Sequence, residues 1–88
     1  MRIEVLMNPD REPPGAGDEL EGRYANYFKV GHNAVEFLLD FGQLYPENQR
    51  ARLHTRIITH PTYAKALLDL LRESVTLYEQ TFGGIHEG

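Results

Sequence analysis

The chain is predicted to fold as an α+β domain: a three- or four-stranded antiparallel β-meander followed by one long C-terminal helix packed on the sheet. Three observations predict it. Apolar and polar residues alternate in three successive runs between Tyr24 and Ile57, and clusters of turn-forming residues separate the runs. From Pro61 the apolar spacing becomes helical and holds as far as Phe82. The frame is small: 88 residues, 41% hydrophobic and 25% charged with a net charge of −4, the balance of one ordinary globular domain. No stretch approaches the ~18 apolar residues of a membrane span, and no basic-then-apolar leader opens the chain, so no membrane partner is expected and a cytoplasmic location is the default. The chain has no cysteine, which excludes a disulfide framework, a thiolate zinc site, an iron–sulfur cluster and a cysteine nucleophile.

Residues 2–7 place Ile3, Val5 and Met7 on one side and Arg2, Glu4 and Leu6 on the other, the period of a short strand. Residues 8–22 are rich in proline, glycine and charge, and Pro13-Pro14 rules out regular structure, so residues 1–22 read as a short strand plus a flexible linker. The domain proper spans residues 23–84 in the order β-β-β-α, and residues 85–88 form a tail. In the first run Tyr24, Phe28 and Val30 alternate with Ala25, Tyr27 and Lys29 up to a turn at Gly31-His32-Asn33-Ala34. In the second, Val35, Phe37, Leu39 and Phe41 share a face opposite Glu36, Leu38 and Asp40. After a turn at residues 45–49, Ala51, Leu53, Thr55 and Ile57 share one face, and Arg50, Arg52, His54 and Arg56 the other.

A turn at residues 31–34 pairs Val30 with Val35, Phe28 with Phe37 and Lys29 with Glu36; the second hairpin pairs Asp40 with Arg52 and Glu36 with Arg56. The helix begins at Pro61, whose fixed φ suits a first helical position, with His60 as its cap, and stops at Gly83-Gly84. One apolar seam runs through Ala64, Leu68, Leu71, Val75, Tyr78 and Phe82, and a second through Tyr63, Leu67, Leu70, Ser74 and Leu77. Together they cover roughly 200° of the helix, twice the ~100° stripe that lying on one sheet requires. Either a twisted sheet, with residues 2–7 or Ile85, covers the surplus, or the second seam meets a second copy of the chain. Burial in so small a domain barely offsets the ordering entropy, which favours a homodimer with that second seam as its interface; a tetramer stays open.

The segment from Tyr24 to Gly84 resembles a family of small bacterial and archaeal proteins known as a domain of unknown function. The resemblance rests on Tyr24-Ala25-Asn26, Glu36-Phe37, Leu39-Asp40-Phe41-Gly42, Pro46, Arg56-Ile57, Pro61, Ala64, Leu67-Leu68, Tyr78-Glu79 and Phe82-Gly83. It implies short strands followed by a long C-terminal helix, and no activity. The family often carries serine before the helix proline, where this chain has His60.

No catalytic site, cofactor or metal is expected. The histidines fall in a turn (His32), a strand (His54), a helix start (His60) and the tail (His86), without the spacing of a zinc-binding pair. Thr55 beside His54 and Thr59 beside His60 are the hydroxyl–imidazole neighbours, and adjacent strand residues face opposite ways, so neither makes a nucleophile–base contact. Gly15-Ala16-Gly17 lacks the spacing of a phosphate-binding loop. The outer sheet face gathers Tyr27, Lys29, Arg50, Arg52, His54 and Arg56, which can be a solvated face of ion pairs, a surface for another protein, or a platform for single-stranded nucleic acid. The negative net charge disfavours the last. The expected function is a non-enzymatic, homodimeric protein-interaction or adaptor module with an unidentified protein partner, and the alternative is a single-stranded nucleic-acid binder.

Overall fold

The structure, a computed structural model, describes residues 20–87. The expected strand at residues 2–7 and most of the linker lie outside the described residues. Three strands form one antiparallel sheet in the order β1-β2-β3: β1 (Tyr27–His32), β2 (Phe37–Tyr45) and β3 (Arg50–Thr59), followed by the helix α1 (Pro61–Phe82). This is the α+β meander-then-helix order that the alternation and its change of period predict.

The register differs from the expected one. Phe28 faces Phe41, Val30 faces Leu39 and Lys29 faces Asp40, each four residues beyond the partner expected on β2. The cause is the turn, which lies at residues 33–36 and not at 31–34. Asn33 Oδ1 accepts the N–H groups of Val35 (2.8 Å) and Glu36 (2.9 Å), and the Asn33 N–H donates to the Glu36 carbonyl at 3.0 Å. An asparagine that closes the loop through its own side chain therefore outweighs the glycine two residues earlier. Two cross-strand ring pairs fix the same register: Phe28 meets Phe41 edge-on at 5.9 Å, and His32 stacks on Phe37 at 5.4 Å. In the second hairpin Asp40 faces Arg56 where Arg52 was expected, and Glu36 does not reach Arg56 in the ladder. The connecting turn is held by Asn48 Oδ1, which accepts the Arg50 N–H at 3.1 Å, and by Gln49 at a φ of 53°.

Ahead of β1, Asn26 acts as a side-chain rung of the sheet. Its Oδ1 accepts the Leu44 N–H at 2.7 Å, its Nδ2 donates to the Leu44 carbonyl at 3.3 Å, and its own N–H donates to the Gly42 carbonyl at 3.0 Å.

The helix ends follow their local chemistry. His60 caps the start through its ring: Nδ1 accepts the Thr62 N–H at 3.1 Å, and the His60 carbonyl accepts from Tyr63 and Ala64. At the other end Gly83 adopts a φ of 97°, and its N–H donates to the Glu79 carbonyl at 3.0 Å.

Among the described residues no hydrophobic side chain is buried; the buried positions are Asp40 and Gly42. No residue of α1 is buried either. Leu71 is 60% exposed and Phe82 73%. On the second seam Leu70, Ser74 and Leu77 are half-buried.

Candidate functional site

The sheet carries one irregularity, and it redistributes the side chains on which the expected binding face rests. Thr55 pairs with Phe41, but Leu53 pairs with Gly42, so His54 is an extra residue with no partner on β2. One extra residue in a strand inverts the facing of everything beyond it. On one face the ladder aligns Tyr27 and Lys29 of β1 with Asp40 and Gly42 of β2 and with Arg56, Leu53 and Ala51 of β3. On the other it aligns Phe28, Val30, Leu39, Phe41, Ile57 and Thr55 with Arg52 and Arg50. The expected gathering of Tyr27, Lys29, Arg50, Arg52, His54 and Arg56 on one face is therefore corrected. Tyr27, Lys29 and Arg56 remain together, while Arg50 and Arg52 lie behind them.

Gly42 makes the bulge possible. A Cβ there would overlap the carbonyl oxygen of Arg52 and stand 2.8 Å from Leu53 Cα. A glycine inside an otherwise apolar alternating run is the sequence signal for such a close approach, and in Leu39-Asp40-Phe41-Gly42 that signal was present.

Arg56 is already engaged. Its Nε donates to Asp40 Oδ1 at 2.8 Å and its Nη2 to Oδ2 at 2.9 Å, a two-point ion pair with the Asp40 side chain only 10% exposed. The hydrogen bonds from Arg56 hold the Asp40 carboxyl below its usual value against the opposing effect of burial, and the charges of Arg56 and Lys29 add to this. The Arg56 guanidinium is correspondingly raised by the same partner.

The bulge also overturns the expectation for His54 and Thr55. These neighbours do meet: His54 Nδ1 lies 2.7 Å from Thr55 Oγ1, and His54 Nε2 lies 3.0 Å from the Tyr24 carbonyl oxygen. A carbonyl only accepts, so Nε2 carries a proton, and in the neutral ring Nδ1 accepts the Thr55 hydroxyl proton. Arg23 Nη1 donates to both Thr55 Oγ1 and the His54 carbonyl at 3.3 Å. These bonds pin the segment that leads into β1, residues 20–25, beside a cleft of about 480 Å³ that Phe41 and Ile57 help to line. A hydroxyl–imidazole pair is the raw material of nucleophilic catalysis. Here the second ring nitrogen is held by a backbone carbonyl and the hydroxyl also accepts from Arg23, so the cluster ties Arg23 and Tyr24 to β3.

His32 stacks in the sheet and His60 caps the helix, and among the described residues no three histidine or acidic side chains are placed to hold a metal. No helix of the described residues is long and apolar enough to cross a membrane. Of the expected interface residues on α1, Tyr63 and Leu67 are exposed, whereas Leu70, Ser74 and Leu77 are half-buried.

A family model described as a protein of unknown function (DUF3467) matches residues 2–87. The chain belongs to that family. The match reaches beyond residues 24–84, on which the resemblance in the sequence rested. No curated protein and no solved structure matches the chain. The residues that carry the DUF3467 resemblance include several with structural duties here. Asn26 bridges to β2, Asp40 and Arg56 form the ion pair, Gly42 admits the bulge, Pro61 opens the helix and Gly83 closes it.

Proposed function

We propose that this DUF3467 chain is a non-enzymatic interaction module that works as a homodimer joined through α1 and offers its sheet to another protein. The observation that supports this reading is the lack of any buried hydrophobic side chain among the described residues, in a chain that is 41% hydrophobic. Ordering a residue costs on the order of 1.5 kcal/mol, and only removal of apolar surface from water offsets that cost on the scale required. The exposed apolar side chains of the sheet and of the helix therefore call for cover. A second copy is always present at the protein's own concentration and satisfies two protomers at once. The sheet face with Phe28, Val30 and Ile57 near one end and Arg50 and Arg52 near the other suits a protein segment with apolar residues beside acidic ones.

The nucleic-acid alternative loses support because its basic residues are divided between two faces and Arg56 is committed to Asp40. Sedimentation equilibrium tests the main reading. A mass of about 20 kDa, twice the 10.1 kDa chain, is expected, and a folded 10 kDa species overturns it. Salt-steep binding of labelled single-stranded DNA or RNA at micromolar or tighter affinity is the result that would restore the alternative.

A further inference from the structure

We propose that two copies pair antiparallel along the first seam of α1, about a two-fold axis that crosses the seam midway between Leu71 and Val75. This rests on the homodimer reading above and assigns its geometry, which the second seam was expected to supply. The first seam is the more open one, with Leu71 60% and Phe82 73% exposed, and Tyr78 and Phe82 form a continuous aromatic end at a ring separation of 5.0 Å. Leu68, Val75 and Tyr78 are exposed as well, so five large apolar side chains line this face of the helix.

The spacing of the seam alternates four and three residues from Ala64 to Phe82, the repeat by which two helices interlock. Turned end for end about the midpoint between Leu71 and Val75, the seam is complementary to itself. Ala64 meets Phe82 of the second copy, Leu68 meets Tyr78, and Leu71 meets Val75. The smallest side chain thus faces the bulkiest end of the seam, as interlocking layers require.

Charge agrees with size. Lys65 and Glu79 flank the seam on the same side, and the antiparallel arrangement brings Lys65 of each copy beside Glu79 of the other. Arg72 then approaches Arg72 of the second copy near the axis, and each is answered by Asp69 of its own helix at 3.9 Å. Parallel pairing does the opposite on every count. It sets Ala64 on Ala64 and Phe82 on Phe82, and it holds Lys65 and Glu79 about 21 Å apart along the axis at ~1.5 Å per residue.

The test uses the full chain, which has no native cysteine. Thr62→Cys and Glu73→Cys are each labelled with a nitroxide, and the spin–spin distance within the dimer is measured by pulsed dipolar spectroscopy. Both positions are exposed, so neither label disturbs the seam. Antiparallel pairing offsets the Thr62 labels by about 33 Å along the axis and the Glu73 labels by none, so the first distance should exceed the second by more than about 10 Å. Equal distances, or a longer distance at Glu73, in a 20 kDa species overturn this pairing and leave the homodimer reading standing. No dipolar signal from either variant, with a 10 kDa mass, overturns both.

Discussion

Replacing Gly42 with alanine puts a methyl group where the backbone of β3 already stands, and the consequence can be worked through from distances. The new Cβ would overlap the Arg52 carbonyl oxygen and lie 2.8 Å from Leu53 Cα. Ordinary carbon–carbon contact begins near ~3.5 Å, so β3 must retreat by about 0.7 Å. The atoms in the way are main chain and cannot rotate aside. Ladder hydrogen bonds tolerate only ~0.5 Å of stretch, so at least one is lost, at about 0.5–1.5 kcal/mol. With the strain of overpacking the total is about 1–3 kcal/mol. For a domain of this size each kcal/mol moves the midpoint by about 4–8 °C, so Tm should fall by roughly 5–20 °C. Gly31→Ala is the matched control. A Cβ there meets nothing within 4 Å. The same substitution should therefore stabilise by about 0.4–1 kcal/mol through the unfolded chain, raising Tm by a few degrees. Both midpoints are read by circular dichroism at one protomer concentration, because pairing makes Tm concentration-dependent. If Gly42→Ala melts within about 2 °C of the wild type, β3 does not run that close to β2, and the bulge with its inversion of faces is wrong.

Further outcomes follow from the same contacts. The Asp40 carboxyl is held below its usual 3.8 in the folded chain, so the unfolded chain takes up its proton first as pH falls. Its stabilising contribution is complete above about pH 5 and is withdrawn as pH drops through the folded-state value. Urea midpoints of the wild type and Asp40→Asn should differ most at neutral pH and converge in acid, and a gap that ignores pH refutes the ionic account. Asn33 uses its oxygen to accept two N–H groups and its Nδ2 reaches the exposed Glu36 carboxylate only at 3.5 Å, whereas Asn26 both accepts from and donates to Leu44. Asn33→Asp should therefore stay within about 0.5 kcal/mol of wild type in chemical denaturation, while Asn26→Asp should cost about 1–2 kcal/mol. Equal losses would mean that Asn26 is no side-chain rung. Thr55→Val removes the hydroxyl shared by His54 and Arg23, and should speed tryptic cleavage after Arg23 several-fold while amide exchange in β2 stays slow. Unchanged cleavage would show that the cluster does not hold residues 20–25.

What the sequence by itself determined is the kind and order of the elements. Period-two alternation, helical spacing after Pro61 and the glycines after Phe82 are local signals, and local backbone chemistry answers them directly. The division of the strands into two faces survived a register error of four residues, because an even slip keeps side chains on their own side. Partner choice was another matter. It hung on whether Gly31 or Asn33 turned the first hairpin, and the hydrogen bonds of Asn33 with the cross-strand ring pairs decide that. The extra residue at His54 then undid the expected basic face, and it brought His54 against Thr55 although strand neighbours ordinarily point apart. Gly42 hinted at it, but a glycine names a close approach without saying what approaches. Tertiary structure alone decided this, since a bulge is a relation between two strands and each strand, read singly, alternates without a break.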